Sequence, residues 1–477
     1  MARLLRVRIL VGLLALAPAA QALQDTAEEA AQDPALTSHA APRELAKGAI
    51  TEEVPSFMGP RRDGHSAETK LLHDFGPEGP TLLWERSRGE GYAAPSVAEG
   101  VLVFTHSSGN QLQVEALDPT TGAMRWRHTR SFDYEPRYIR NKGPRAAPLI
   151  HAGKVYVLGV DNTLCAFELR SGKLIWKLDL RKEYGATDDF FGAVGTPLLV
   201  GETLILNIGA KGGPSIVALS IKDGSMVWGT EDKWGPSCAS PVLAEIRGKE
   251  QLLVMAGGDS RPPTGGLLVL DPKTGEERYR YPFRSRTFES VLGASPVVSG
   301  EHVLISAGYN TGTAALYLDD EGIWSEAWKT RDIGCEFQNP IVQGGLLHLV
   351  DGVNGRVGAI VAMDPITGEE RANTTITWKE ELHIAGSQPM QRSSSIGQAS
   401  LLYVDGAFLV LGDFGHLLWI SSNASGAKVT ARTKLFFARE TWTPPIVHRG
   451  LLYVCQNNPD QETGVGPRLL CYDLRGK

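Results

Sequence analysis

From Thr81 to the C-terminus the chain repeats one pattern of apolar and polar positions. A small or polar residue precedes proline, a short apolar run follows, and a glycine turn leads into a second apolar run. The residue before a proline is pushed into extended backbone, and apolar runs bounded by glycine and proline predict short strands. The pattern starts at Ala94-Pro95, Ala147-Pro148, Thr196-Pro197, Ser240-Pro241, Ser295-Pro296, Asn339-Pro340 and Pro444-Pro445. A proline-free version, Ala399-Ser400 with Leu401-Leu402-Tyr403-Val404 and Gly406 behind it, fills the remaining gap. The eight starts lie 44 to 60 residues apart. That is the length of a four-stranded antiparallel sheet with its loops.

A second signature, Ala-x-Asp-x-x-x-Gly-x-x-x-Trp, closes each unit. Ala116, Asp118, Gly122 and Trp126 match it in full, and Ala166, Gly172 and Trp176 match with Glu168 in the acidic place. Ala218, Gly224 and Trp228 carry Ser220 there, and Asp271 and Gly275 lead to Tyr279. The fifth unit is loosened by an insertion but reaches Trp328, the sixth ends on Ala372 after Asp364 and Gly368, and the seventh is degenerate around Trp419 to Gly426. The acid is expected to accept turn N–H groups and the glycine to take positive φ. The indole is expected on an outer strand, filling the wedge between neighbouring sheets.

The two ends complement each other. Leu469 to Lys477 begins the second signature and stops before its final strand, whereas Thr81-Leu82-Leu83-Trp84 stands in front of the first proline start and ends in tryptophan. The N-terminal strand is therefore expected to complete the last sheet, which removes the exposed edges of an open ring. The fold class is all-β: an eight-bladed β-propeller of four-stranded antiparallel blades over 81–477, closed by an N-terminal strand.

Upstream the texture differs. Residues 1–22, with Arg3, Arg6 and Arg8, an apolar run from Ile9 to Ala17 and Ala20-Gln21-Ala22, read as a cleavable secretory signal. The first cysteine is Cys165, so no lipid-bearing cysteine is expected behind it. Residues 23–55 read as a flexible leader and 56–80 as a lead-in segment packing on the propeller. Of 48 Lys+Arg, three fall in the signal; the remaining 45 stand against 54 Asp+Glu, about −9 formally. That balance argues against nucleic acid as a partner. No later stretch is apolar for long enough to span a bilayer. The expected location is periplasmic or secreted, as a monomer. Cys455 and Cys471 are expected on adjacent strands, where a disulfide is one alternative and two buried thiols the other.

The repeated Ala-x-Asp-x-x-x-Gly-x-x-x-Trp motifs resemble the tryptophan-docking motifs of the propellers named after pyrroloquinoline quinone (PQQ). That group includes quinoprotein alcohol dehydrogenases and the BamB outer-membrane assembly factor. Phe57-Met58-Gly59-Pro60-Arg61-Arg62-Asp63-Gly64 further resembles the opening of secreted, planctomycete-type BamB-like proteins, with Met58 in place of the usual Arg. The resemblance runs from about Phe57 to the C-terminus. It implies either an envelope binding and assembly propeller or a PQQ-dependent dehydrogenase holding PQQ with Ca²⁺. No Cys-x-x-Cys-His haem site and no vicinal Cys-Cys is present.

The loops in front of the inner strands gather around one channel mouth, so their chemistry-bearing residues are the candidate site. They are Arg140, Lys142 and Arg145, then Asp188 and Asp189, Trp234 and Cys238, Glu289, Cys335 with Glu336 and Gln338, Arg392, and Glu440 with Trp442. Such a set can stack, neutralise and hydrogen-bond a flat anionic cofactor. The competing readings are channel-plug or interblade packing for Trp234 and Trp442, salt bridges or simple solvation for the charges, and a partner's acidic surface for Arg140, Lys142 and Arg145. His106, His348 and His416 fall in or beside strands at unrelated spacings and read as hydrogen-bonded strand residues. With no local signature of a reaction centre, the expectation is a non-catalytic binding or assembly propeller with no cofactor. Its expected partners are envelope or secreted proteins, or a small ligand at the channel mouth.

Deleting Thr81 to Trp84 should open the ring and expose a sheet edge. Thermal melting and light scattering check this: a lower melting temperature with aggregation is expected, and an unchanged melt would refute the closure.

Overall fold

The computed structural model describes residues 33–138, 141–210, 212–258, 260–288, 290–352, 357–384 and 386–476. Eight sheets, each with four antiparallel strands, follow one another along the chain. Blade one runs Ser96–Ala98, Val101–Ser108, Gln111–Leu117 and Met124–Ser131, from the inner strand outward. Burial follows from this stacking. Third strands such as Gly266–Leu270 and Ala359–Met363 are covered on both faces and are buried throughout. Outer strands such as Leu174–Asp179 alternate between exposed and half-buried positions, as expected when one face meets water.

Blade eight is composite. Ile446–His448, Leu451–Gln456 and Arg468–Asp473 come from the C-terminal end, and Thr81–Ser87 supplies the fourth strand. Across the seam, the Arg86 guanidinium donates to Glu115 of blade one at 2.7 Å, with both side chains buried. Glu115 also receives Arg127 (2.6 Å) and lies 3.3 Å from His106.

The docking motif works between blades. Trp126 lies opposite Ala166's counterpart, Ala116, and its indole N–H donates to Leu169 O of the next blade at 2.8 Å. Trp176, Trp228 and Trp328 donate likewise to Ile221, Pro272 and Pro365. The turn glycine is required sterically as well as conformationally. Gly172 has φ +70, and a Cβ there would sit 2.5 Å from the Trp126 ring. In blade four Tyr279 stacks on Trp324 of blade five, with ring centroids 5.8 Å apart.

The weak copies of the motif have specific substitutes. In blade seven the pair is exchanged: Trp419 lies on the third strand opposite Ala431, and its N–H donates to Leu72 O (2.9 Å) in the lead-in. Blade six pairs Ala372 with Ala362. An added hairpin, Thr377–Leu382 with Met390–Ser395, follows that blade and places Trp378 in the buried cluster between blades six and seven. This hairpin accounts for the longest repeat spacing.

The residue before each proline also has a role. Ala147 N–H donates to Thr196 Oγ1 (3.0 Å), Thr196 N–H to Ser240 Oγ (3.0 Å), Ser240 N–H to Ser295 Oγ (3.1 Å) and Ser295 N–H to Asn339 Oδ1 (2.6 Å). A belt of side-chain acceptors thus joins consecutive inner strands of blades two to six.

The leader expected to be flexible over 23–55 is structured where it is described. Leu36–Ser38 pairs with Arg86, Glu85 and Trp84, adding a fifth strand to blade eight, and Arg43 binds the Asp473 carboxylate through N–H and Nε, both at 2.9 Å. An Ala-rich and Glu-rich stretch gave no strand pattern; the available outer edge of Thr81–Ser87 supplies its partners. Residues 1–22 and 23–32 lie outside the described residues.

From Val54 the chain crosses one end of the channel. Val54 pairs with Val97, Pro55 O accepts from Ile150 N–H, and His65–Ser66 runs parallel to Tyr403–Val404. Between them the Arg62 guanidinium donates to Pro241 O (3.1 Å), Ser56 Oγ (3.0 Å) and Pro197 O. Burial without a carboxylate partner lowers it to about 9.

Burial opposes ionisation of Glu115, but His106 and Arg86 outweigh it and hold the carboxyl at about 2, against its ordinary 4.5. Its stabilisation is complete above pH 4.5 and is lost as pH falls towards 2, by up to about 3 kcal/mol. Glu115→Gln should cost about 3 kcal/mol at pH 7, since it removes the carboxylate on which Arg86, Arg127 and His106 converge, and should flatten the acid limb. Denaturant titrations between pH 2.5 and 7 check both; equal stability at pH 7 would contradict the role.

Candidate functional site

With Val54 to Ser66 across one end, the channel is a cup open at the other mouth. Its volume is about 270 Å³ and every blade contributes to its wall, with Phe57 and Met58 of the lead-in on its surface. A positional rule connects the wall to the sequence. Tyr92, Arg145, Val194, Cys238, Gly293, Phe337 and Trp442 each stand three residues before the proline of their blade, and all seven line the cup. The proline fixes where the inner strand begins, so the third residue upstream projects into the mouth in blade after blade.

The aromatic part is continuous. Trp442 lies between Tyr92 (5.5 Å between ring centroids, 32°) and Phe337 (5.1 Å, 63°). The Tyr92 hydroxyl donates to Glu440, and burial followed by that hydrogen bond raises its pKa. The Arg145 guanidinium lies 5.9 Å from the Tyr92 ring and 5.7 Å from Tyr134. It donates to Gly143 O (2.6 Å) and Asn141 O (2.9 Å), and burial lowers its pKa. Glu336 is buried; it accepts from Tyr309 OH at 2.5 Å and from Gln398 Nε2 at 2.8 Å. Gln338 reaches Gln398 O at 3.2 Å. Cys238 Sγ lies 3.2 Å from Asp189 Oδ2, and burial, then the Asp189 charge, pushes its thiol well above the usual range.

Of the candidates read from sequence, Arg145, Glu336 and Trp442 line the cup, together with Cys238 and Gln338. Asp189 and Glu440 stand behind them, on Cys238 and Tyr92. Three others belong elsewhere. Asp188 is held by Arg181 (2.7 Å to each oxygen) and Asn162. Trp234 packs on the cluster of blades three and four beneath Arg280, which lies 4.9 Å from its ring. Arg392 is on the added hairpin, over Phe414 and Phe437 at 4.4 and 5.1 Å. Each of the three lies farther upstream of its inner strand than the residues that line the mouth. Lys142 pairs with Glu135, and Cys335 is buried with its N–H on Ser306 Oγ. Arg140 and Glu289 lie outside the described residues. Tyr92, Phe191, Tyr309 and Gln398 were missed; the proline register marks Tyr92, whereas Tyr309 comes from the turn between the second and third strands of blade five.

The family model described as outer membrane protein assembly factor BamB matches residues 110–374, more than half of the chain. The chain belongs to this BamB-like family of PQQ-type propellers. BamB of Yersinia pestis is 28% identical over 144 residues, 30% of this chain and 34% of that protein. The 1-butanol dehydrogenase (cytochrome c) of Thauera butanivorans is 32% identical over 144 residues, 28% of this chain and 19% of that enzyme. The matches thus span about a third or less of those relatives. Among solved structures, a europium-containing methanol dehydrogenase aligns with a TM-score of 0.61 at 12% identity, covering 89% of this chain and 98% of that one. BamB from Moraxella catarrhalis aligns at 0.53 and 13%, covering 82% and 97%. At such identities these likenesses establish the propeller fold that this BamB-like chain shares with both groups.

Cys455 and Cys471 are free and buried on adjacent strands, but out of register: Cys471 pairs with Tyr453 and Cys455 with Leu469. Burial raises all five thiols, Cys165 to about 11 and Cys335 to about 12. A maleimide at pH 8 should therefore leave the native protein unlabelled and modify five cysteines after unfolding without reductant. Mass spectrometry checks the count; rapid labelling of Cys238, or only three labels after unfolding, would contradict this.

Proposed function

We propose that this chain is an exported, non-catalytic binding propeller of the cell envelope, BamB-like in role, which engages its ligand or partner at the open channel mouth. The observation that carries this reading is how the polar groups of the cup are used. Arg145 donates to backbone carbonyls, Glu336 is held at both oxygens by Tyr309 and Gln398, and Tyr92 is committed to Glu440. Groups tied to one another in this way shape a surface rather than activate a nucleophile or move a proton.

The PQQ of the dehydrogenase branch fits this donor set poorly. PQQ carries three carboxylates and is usually held with Ca²⁺ by oxygen ligands. Among the described residues Arg145 is the one cation lining the cup and Glu336 the one carboxylate. Also among them, no three His, Cys, Asp or Glu are grouped as a metal ion requires. Export rests on the N-terminal signal pattern, and among the described residues no helix is long and apolar enough to cross a membrane. The BamB relatives are named as assembly factors, which supports proteins as partners.

Adding PQQ with Ca²⁺ to the purified protein and supplying primary alcohols with an electron-accepting dye tests the choice. No alcohol-dependent dye reduction and no shift in melting temperature are expected. Stoichiometric PQQ binding with turnover would overturn the proposal.

A further inference from the structure

The wall of the cup carries a half-buried guanidinium, Arg145, and a buried carboxylate, Glu336, and no described residue supplies either with a counter-charge. Arg145 opens blade two and Glu336 opens blade six, four blades apart in a ring of eight, so they stand on opposite sides of the mouth. Arg145 meets two carbonyls and Glu336 meets a hydroxyl and an amide; among the described residues neither has an ion-pair partner. A buried charge normally has a counter-charge, because neutral partners repay only part of its lost hydration. Two of the five N–H donors of Arg145 are used, which leaves the fork able to take a carboxylate.

The arc between the two charges is aromatic. It passes from Arg145 over Tyr92 to Trp442 and on to Phe337, the neighbour of Glu336. Across from it, Phe191, Val194 and Val291 add apolar surface. Such walls favour a flat apolar body, and rings beside a carboxylate also favour an ammonium group. A plain anion would satisfy Arg145 and leave Glu336 uncompensated; a plain cation would do the reverse.

We propose that the cup binds a small aromatic zwitterion whose carboxylate and ammonium lie at opposite ends of its ring system. Its carboxylate pairs with Arg145, its ring lies along Tyr92, Trp442 and Phe337, and its ammonium meets Glu336. This names the ligand class of the binding role proposed above and rests on that role.

Calorimetry with the full-length protein tests it using 4-(aminomethyl)benzoate, 4-methylbenzoate and 4-methylbenzylamine. The zwitterion should bind about tenfold or more tighter than either singly charged analogue, the gain of one further charge-assisted contact. Glu336→Gln should reduce zwitterion affinity to that of 4-methylbenzoate, while 4-methylbenzoate itself binds as before or better; a merely structural Glu336 would lose both together. Equal affinity for the three ligands, or no binding by protein that melts normally, would overturn the proposal. The comparison of ligands on the unmodified protein decides the matter even when the variant does not fold. Failure here leaves the outcome of the PQQ and alcohol test untouched, so the two readings fail separately.

Discussion

The last blade of this ring has four strands only because the other end of the chain supplies one of them. Here Thr81–Ser87 must reach Arg468–Asp473, and everything upstream is constrained by that meeting. The chain arriving at Thr81 comes from the channel, having passed Val97, Ile150, Pro241 and Tyr403 in turn. Closure of the ring and closure of the channel are thus achieved by one continuous segment. The Arg86–Glu115 pair adds a buried electrostatic tie at the seam, which a mispaired strand would break.

Much of this was legible in the sequence, for physical reasons. Proline and the turn glycine restrict the backbone wherever they occur, so eight starts and their spacing survive divergence of the residues around them. The tryptophans were legible as docking residues because an indole of that size at repeat spacing has few alternatives to an interblade wedge. Two things escaped. Leu36–Ser38 has no strand pattern of its own, since its pairing depends on an edge contributed by residues far along the chain. The exchange of Trp419 and Ala431 was equally hidden, because a third-strand tryptophan becomes tolerable only where Leu72 and His73 cover it.

The site was legible by region and only in part by residue. Among the charged and aromatic residues of the mouth loops, Arg145, Glu336 and Trp442 line the cup, whereas Asp188, Trp234 and Arg392 serve local packing and pairing. Chemistry alone does not report depth in a loop; distance from the proline does. The third position upstream identifies Tyr92 and Phe337 without regard to charge, whereas Tyr309 depends on the turn geometry of another strand pair. The shared propeller and docking motifs concern how blades hold together. What separates a binding cup from a cofactor site is the number of cations and carboxylates at the mouth and whether they are already engaged.

The cup exists only if the lead-in segment seals one end of the channel. Amide hydrogen exchange at Val54, Ile150 and Tyr403, whose N–H groups bond to Val97 O, Pro55 O and Gly64 O, measures this directly. If the seal is part of the folded core, these amides exchange as slowly as those of the buried third strands, near the rate of global unfolding. Exchange at the rate of an exposed loop would show the channel open at both ends and would contradict the cup.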